Sequence, residues 1–346
     1  MSSRLCVLLV CVVLGVLPGA TADGAGAELP LDQQVGQLVV LSFRGTVAPA
    51  YVQRALRNGH AAGVILFGRN IASPPQLRAL TGTLRAAGRR PLVAVDQEGG
   101  PVRRVPWVGP TGSEPEQVAA ANVRSDALAA ARALRGLGVT VNLAPVADVP
   151  SVRNAAIASR AFSSHPAVVT ASVEAAVRGW RAGGVAPTVK HFPGIGGASR
   201  NTDAAVVTIR RPEGSLERVD LAPFRAAISA GVPLVMVGHA RYPALDPSRI
   251  ASQSSAIMHN LLRDQLGFHG VVITDSLEAR ASLATGSVTA VAERAIRAGA
   301  DLVLLTGRES YQPVYDRLLA RAREDPVFRA RVQEAAARVR RLKAAP

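Results

Sequence analysis

The residues best suited to chemistry in this sequence are charged side chains that follow short apolar runs. Five apolar runs end in this way, and the residues that follow them are Asp96, Asp148, Lys190 with His191, His239, and Asp275. Each one alone has an ordinary explanation as a hydrogen-bonded residue at a strand end. Their repetition favours one shared site, because carboxylates, a Lys-His pair and nearby arginines offer forked hydrogen bonds to a polyhydroxylated ligand. Such groups also suit the stabilisation of a developing oxocarbenium ion.

A metal site is the competing use of these residues. Asp96, His191, His239 and Asp275 are ligand types of a barrel metallohydrolase. However, the sequence contains no His-x-His or His-Glu-x-x-His cluster, and Lys190 would place a cation beside His191. No cofactor motif is present either. We therefore expect neither a bound metal nor a cofactor.

Eight short apolar runs alternate with longer segments of helical spacing after about residue 29. The apolar runs are Val39–Phe43, Gly63–Phe67, Pro91–Val95, Val139–Pro145, Val185–Val189, Leu234–Val237, Gly270–Thr274 and Leu302–Leu305. The helical segments include Gln76–Ala87, Glu114–Leu137, Pro166–Ala182, Leu221–Ala230, Ser254–Leu266 and Val288–Ala298. Apolar strands joined by helices are typical of a parallel sheet covered on both faces. Eight such units predict an α/β fold, a single (β/α)8 TIM-type barrel.

This barrel would bring the charged residues named above together, because its active sites lie at the C-terminal ends of the strands. An open, doubly wound sheet is the alternative, but no Gly-x-Gly-x-x-Gly follows the first strand. We find no interdomain linker. Residues 23–346 are therefore expected to form one barrel domain with no second domain, completed by a final helix from about Pro326.

The first 22 residues are predicted to be a secretory signal peptide. Arg4 precedes an apolar run over Leu5–Leu17, and a small-x-small exit follows at residues 20–22. The run is shorter than the roughly 20 apolar residues that span a bilayer. We expect cleavage after about Ala22, export from the cytoplasm and no stable membrane insertion. A buried N-terminal helix and a lipoprotein anchor at Cys11 are the weaker alternatives.

The formal net charge of +15 suggests a nucleic-acid or anionic-polymer partner. Only Lys190 and Lys343 of the 40 basic residues are lysines, the arginines are dispersed, and aromatic residues make up 4% of the chain. Stacking platforms for single strands are therefore not evident, and we expect no nucleic-acid partner. Attraction to an anionic cell-wall polymer stays open. The basic run Arg338, Arg340, Arg341 and Lys343 is expected to coat a solvated helix face.

Seven stretches form a recognisable series along nearly the whole chain after the signal. They are Gly63–Asn70 (GVILFGRN), Val95–Gly100 (VDQEGG), Asn142–Asp148 (NLAPVAD), Arg160–Phe162 (RAF), Lys190–Gly194 (KHFPG), Met236–His239 (MVGH) and Leu266–Leu277 (LGFHGVVITDSL). In these motifs the chain resembles glycoside hydrolase family 3. Within that family it is most similar to the single-domain bacterial β-N-acetylhexosaminidases of peptidoglycan recycling.

The resemblance implies a role for each matching residue. Asp275 stands at the position of the nucleophile, which would form a covalent glycosyl-enzyme and retain the anomeric configuration. The sugar would be held by Asp96, Arg104, Arg160, Lys190, His191 and His239. The implied substrate is a β-linked N-acetylhexosaminide, with N-acetylglucosamine of peptidoglycan or a related glycan as the implied sugar. A β-glucosidase-like activity is an alternative.

The acid/base residue is where the sequence departs from the family. Single-domain members carry Lys-His-Phe-Pro-Gly-x-Gly-x-x-x-x-Asp-Ser/Thr-His, in which the histidine transfers the proton and the aspartate orients it. Here Asn201 replaces that aspartate and Asp203 replaces the histidine. Asp203 is then a candidate carboxylic acid/base, with Asn201 as its orienting partner. The alternatives are a slow or altered enzyme, a catalytically silent glycan-binding barrel, and an exposed loop aspartate without function.

Overall fold

Eight parallel strands close into a barrel in the computed structural model, which describes residues 29–307 and 309–345. The strands are β1 (Val39–Leu41), β2 (Gly63–Leu66), β3 (Leu92–Val95), β4 (Val141–Asn142), β5 (Ala186–Phe192), β6 (Leu234–Val237), β7 (Val271–Ser276) and β8 (Leu302–Leu304). Each strand pairs with its neighbours in sequence, and β1 also pairs with β8, where Val39 lies opposite Val303. This closure confirms the predicted (β/α)8 barrel and excludes the open sheet. The predicted signal peptide, with both cysteines, lies outside the described residues.

Helices separate successive strands and cover the barrel. They are Ala50–Arg57, Pro74–Ala87, Glu114–Ala119, Val123–Gly136, Pro166–Ala182, Ala222–Ser229, the π-helix Ala256–Gln265, Val288–Ala298, Tyr311–Glu324 and Pro326–Ala344. A further helix, Leu31–Gly36, precedes β1. The prediction of one helix over residues 114–137 was wrong, because Ala121 adopts a positive φ of 54° and separates two helices. Within the part of the chain that the structure describes, no helix is long and apolar enough to span a bilayer.

Alternate residues of the strands fill the inside of the barrel, as the two-residue period of a strand requires. This inner apolar cluster includes Val40, Ile65, Leu92, Ala94, Val141, Leu143, Leu234, Met236, Val271, Ile273, Leu302 and Leu304. Val339 and Leu342 from the final helix pack against the same cluster. The same two-residue period places three charged residues at inward-facing positions. Asp96 lies two residues after Ala94, Lys190 two residues after Thr188, and Asp275 two residues after Ile273.

The final helix is held by a buried carboxylate rather than by exposed charge alone. Asp301, which is fully buried, accepts hydrogen bonds from Arg263 and Arg331 at 2.6 Å each and from Arg338 at 3.3 Å. Lys343 donates to Gln37 at 2.7 Å. The expectation that the whole C-terminal basic run coats a solvated face was therefore wrong for Arg338 and Lys343.

Two short antiparallel hairpins extend from the strand ends. One pairs Gln97–Gly99 with Val102–Arg103 directly after β3, and the other pairs Arg241–Tyr242 with Asp246–Ile250 after β6. The amide of Gln97 fixes the first hairpin, because it donates to the carbonyl oxygens of Val105, Val108 and Gly109. This hairpin carries the segment from Asp96 to Arg104 across the barrel mouth.

Candidate active site

A cavity of about 560 Å³ opens at the C-terminal ends of the strands. The predicted site residues that line it are Asp96, Arg104, Arg160, Lys190, His191, Asn201, Asp203 and Asp275. They come from the ends of β3, β5 and β7 and from the loops after β3, β4 and β5. The barrel thus brings together residues that lie as far as 179 positions apart in the sequence, Asp96 and Asp275 being the extremes.

Lys190 is the charged centre of the cavity floor. Its side chain is 3% exposed, and its ammonium lies 2.8 Å from an oxygen of Asp96 and 2.6 Å from an oxygen of Glu98. Burial alone would lower the pKa of Lys190, but Asp96 and Glu98 raise it above its ordinary value. A buried ammonium requires such partners, so Lys190 remains charged and anchors both carboxylates.

Glu98 joins Lys190 to Arg160. Arg160 binds it with both prongs of its guanidinium, at 2.9 Å and 2.7 Å. Burial would raise the pKa of Glu98, yet Lys190 and Arg160 hold that pKa at about 2. Its buried neighbour Glu114 behaves in the opposite way, since burial and the charge of Glu98 raise the pKa of Glu114 well above its ordinary value. The two buried glutamates beneath the cavity therefore differ, since the pKa of Glu98 is lowered and that of Glu114 is raised.

His191 is oriented by a buried aspartate. Its Nδ1 lies 2.7 Å from Asp148, whose other oxygen accepts the backbone N–H of Ile195 at 2.7 Å. Asp148 is fully buried and was predicted at a strand end without a role. Because Nδ1 is bound to Asp148, the ring leaves Nε2 for the cavity that it lines.

His239 is the one predicted site residue that does not line the cavity. It is fully buried, its Nδ1 lies 2.7 Å from the Ser252 hydroxyl, and its Nε2 lies 2.8 Å from the carbonyl oxygen of Ser276. A carbonyl only accepts, so Nε2 carries the proton and donates it to this bond. The structure places His239 behind Asp275, where it holds the backbone of the next residue and has no open path to a sugar.

Asp275 is ionised more readily than a buried aspartate usually is. Burial alone would raise its pKa, but His191 and His239, the backbone N–H of Ser276 at 2.7 Å, and Lys190 together lower the pKa below its ordinary value. An ionised carboxylate at the bottom of a cavity is the form that a nucleophile requires.

Asp203 lies on the loop after β5 and is held from two sides. Its backbone N–H donates to the side-chain oxygen of Asn201 at 2.9 Å, and the Asn201 amide donates to the Asp203 carboxylate at 3.2 Å. The backbone N–H groups of Arg280 and Ala281 donate to the carbonyls of Asp203 and Thr202, both at 3.1 Å. The loop is thereby attached to the segment that directly follows the Asp275 strand.

The pKa of Asp203 moves in the opposite direction from that of Asp275. Partial removal from water raises it, the negative charge of Asp275 raises it further, and the Asn201 hydrogen bond lowers it less. The two carboxyl groups therefore face one cavity with their pKa values pushed apart. This separation suits one ionised and one protonated partner.

Sequence reasoning missed three residues that line or build this site. Glu98 stands in the VDQEGG stretch, where its charge was visible but its partners were not. Glu278 lines the cavity and accepts from the Thr306 backbone N–H at 2.9 Å. Arg69 lies over the Phe67 ring at 4.4 Å and also lines the cavity. Arg69 stands three residues after the end of β2 and Glu278 two residues after the end of β7, and this position after a strand was the signal that could have found them.

The residues of the metal alternative have other uses here. His239 is occupied by Ser252 and Ser276, and His191 by Asp148. Among residues 29–307 and 309–345, no three histidine, cysteine, aspartate or glutamate side chains are grouped as metal ligands would be.

Comparison with known proteins agrees with this geometry. Residues 30–342 match the glycosyl hydrolase family 3 N-terminal domain. A β-hexosaminidase of Stenotrophomonas maltophilia is 37% identical over 279 residues, which cover 78% of this chain and 83% of the relative. A family 3 β-N-acetylglucosaminidase from Paenibacillus superimposes with a TM-score of 0.87 at 34% identity, over 91% of this chain and 62% of the Paenibacillus chain. A β-N-acetylhexosaminidase from Beutenbergia cavernae superimposes with a TM-score of 0.84 at 34% identity, over 92% of this chain and 100% of that chain.

The ionic floor leads to a pH-dependent prediction for Glu98→Gln. The folded-state pKa of about 2 lies below the ordinary value of 4.5, so the Glu98 charge stabilises the fold fully above about pH 4.5. That contribution is lost as the pH falls through about 2. We expect the variant to lose about 3 kcal/mol of unfolding free energy at pH 7 and distinctly less at pH 3, as measured by urea unfolding.

The matched control is Glu174→Gln. Glu174 pairs with Arg178 on the exposed surface, where both side chains are about half exposed. Its replacement should change the unfolding free energy by less than about 1 kcal/mol at either pH. An equal cost of Glu98→Gln at pH 3 and pH 7 would contradict the assignment of an ionised Glu98.

Proposed function

The chain belongs to glycosyl hydrolase family 3, and from that membership we propose a retaining glycosidase that cleaves β-linked N-acetylhexosaminides. The chain has the glycosidase barrel of this family, and its relatives are named β-hexosaminidases and β-N-acetylglucosaminidases. In the proposed reaction Asp275 is the nucleophile and Asp203 is the acid/base. N-acetylglucosamine in peptidoglycan or a related glycan is the proposed sugar.

The opposed pKa shifts of Asp203 and Asp275 are the observation that carries this proposal. Retaining glycosidases need one carboxylate that attacks and one carboxylic acid that donates a proton. The environment lowers the pKa of Asp275 and raises that of Asp203. Each group is thereby biased toward the form that its role requires before substrate enters.

The proposed reaction has two steps. In the first, Asp275 attacks the anomeric carbon while Asp203 donates its proton to the glycosidic oxygen, so the bond to the leaving group breaks as the glycosyl-enzyme bond forms. In the second, ionised Asp203 takes a proton from water, and the hydroxide oxygen displaces Asp275 from the anomeric carbon. Two inversions give net retention, and Asp203 ends protonated as it began.

The floor of the cavity would hold the sugar during both steps. Asp96 accepts from Lys190 with one oxygen at 2.8 Å, which fixes the carboxylate for hydrogen bonds to sugar hydroxyls. Arg160, Lys190 and His191 add donors on the same side. Asn201 orients Asp203 through its amide, although an amide supplies no negative charge to the proton donor.

We also propose that the protein acts outside the cytoplasm. Support comes from the positive start at Arg4, the apolar run Leu5–Leu17 and the small-x-small exit before residue 23. Mass spectrometry of protein collected outside producing cells should find a chain that begins near Asp23. Recovery of only the uncleaved chain, inside the cells, would refute the export proposal without affecting the glycosidase proposal.

The variant Asp203→Ala tests the acid/base. An activated nitrophenyl leaving group needs little protonation, whereas a sugar leaving group needs a proton from the enzyme. We expect kcat/KM for a sugar-linked β-N-acetylglucosaminide to fall by about 10²–10⁴-fold, and that for the nitrophenyl glycoside to fall much less. In the wild type, activity should fall as the pH rises through the raised pKa of Asp203, and this alkaline decline should vanish in the variant.

Three outcomes of that experiment separate the alternatives. Equal losses on both substrates would remove Asp203 from proton transfer. Cleavage of neither substrate by the wild type, with N-acetylglucosamine still raising the melting temperature, would indicate a silent glycan-binding barrel. A preference for nitrophenyl β-glucoside over the N-acetylglucosaminide would reassign the sugar.

The variant Asp275→Asn tests the nucleophile. We expect it to lose nearly all turnover, because the amide cannot attack, while it still binds N-acetylglucosamine through the cavity floor. Steady-state kinetics and calorimetric titration measure the two properties. Asp264→Asn is the control, since Asp264 is exposed and lies outside the cavity. Undiminished turnover in Asp275→Asn would refute its role.

A further inference from the structure

A second cavity, here called the basal cavity, lies at the opposite end of the barrel from the candidate active site. Its volume is about 610 Å³, and its walls come from the segments that lead into β3, β4, β5 and β6 and from the end of the final helix. Its basic residues are Arg85, Arg90, Arg135, Arg181 and Lys343. Among the described residues that line it, none is an aspartate or a glutamate.

Two of these arginines lie directly against glycines. Gly184 and Gly231 have positive φ angles of 78° and 74°. A Cβ atom on Gly184 would lie 2.0 Å from the Arg135 guanidinium, and one on Gly231 would lie 2.7 Å from that of Arg181. The absence of side chains at these glycines therefore lets each guanidinium lie directly against the backbone.

The hydrogen bonds of these arginines leave their charge unneutralised. Arg135 donates to the carbonyl oxygen of Gly184 at 3.1 Å, and Arg181 donates to that of Ala230 at 2.6 Å. Both acceptors are neutral, and each bond uses one of the five N–H donors of a guanidinium. The remaining donors are available to an anion in the cavity that both arginines line.

Helix position explains only part of this arrangement. Arg85, Arg135 and Arg181 each lie in the last turn of a barrel helix, where a cation interacts favourably with the helix dipole. Lys343 lies in the last turn of the final helix and is explained in the same way, so among these five residues the dipole leaves Arg90, which comes from a loop, unaccounted for.

The basal cavity also differs from the other arginine cluster. Around Asp301, a buried carboxylate serves the arginines that converge there. In the basal cavity, Lys343 donates to the neutral amide of Gln37, and burial lowers the pKa of Lys343 to about 7. The protein thus gathers four arginines and Lys343 at the base of the barrel and supplies no carboxylate among the described residues that line the cavity.

We propose that the basal cavity is a binding site for a phosphate group. Its basic residues come from four segments of the chain and line one cavity, and a phosphate offers oxygens in several directions at once. Guanidinium groups also bind phosphate in a forked geometry. The phosphate group belongs either to free inorganic phosphate or to a phosphate-bearing polymer. A bound polymer would anchor the enzyme through the basal cavity and leave the cavity of the candidate active site open.

The test compares two triple variants, each with three basic side chains replaced by glutamine. The cavity variant is Arg135→Gln, Arg181→Gln and Lys343→Gln, and the control is Arg57→Gln, Arg78→Gln and Arg323→Gln, at exposed positions outside the cavity. Inorganic phosphate and inorganic polyphosphate are titrated at constant ionic strength by calorimetry. We expect the cavity variant to bind at least about tenfold more weakly than the wild type and the control to bind within about twofold of it.

Circular dichroism establishes that both variants are folded. If the cavity variant does not fold, Arg85→Gln with Arg90→Gln replaces it, because both side chains are exposed. If each phosphate unit of polyphosphate binds as tightly as inorganic phosphate, the site is supported and free phosphate is its ligand. If polyphosphate binds much more tightly per phosphate unit, the site is supported and a phosphate-bearing polymer is its ligand. Failure of both probes to bind the wild type would overturn the proposal, as would an equal loss in the control variant.

Discussion

The buried ammonium of Lys190 is the constraint on which the candidate active site depends. A cation that has lost its water is stable only with carboxylates beside it, and Asp96 and Glu98 provide them at 2.8 Å and 2.6 Å. Arg160 then balances Glu98 from the loop after β4. One electrostatic requirement therefore fixes the relative positions of β3, β5 and the loop between β4 and β5. Asp96, Lys190 and Arg160 are thereby held in fixed positions at the cavity.

A second consequence concerns the two carboxyl groups above this floor. His191, His239 and Lys190 all favour the charge on Asp275, whereas at Asp203 removal from water and the Asp275 charge outweigh the Asn201 amide and the same two histidines. The same cavity therefore lowers the pKa of the carboxyl group at its base and raises that of the carboxyl group at its rim. This asymmetry does not require a histidine at position 203, which is why the departure from the family motif is compatible with glycosidase chemistry.

The sequence was most informative where a local period decides the structure. Short apolar runs that alternate with segments of helical spacing predicted all eight strands. Within the strands, Ala94 and Ile273 face inward, and Asp96 and Asp275 follow them by two residues. It failed where partners come from distant segments. Glu98 acquires its role from Lys190 and Arg160, and His239 is buried because Ser252 and Ser276 approach it. The basal arginines looked dispersed along the chain, because only the closed barrel brings the ends of successive helices to one side.

The attachment of the Asp203 loop bears on how such an enzyme changes over evolutionary time. Arg280 and Ala281 hold the loop through the carbonyl oxygens of Asp203 and Thr202, which every amino acid possesses. The loop can therefore keep its course whichever side chain occupies position 203. Side chains of different chemical type could replace one another there by single substitutions, with Asp275 and the ion pairs of Lys190 undisturbed. An exchange between histidine and aspartate at this position would then be a small evolutionary step rather than a rebuilding of the site.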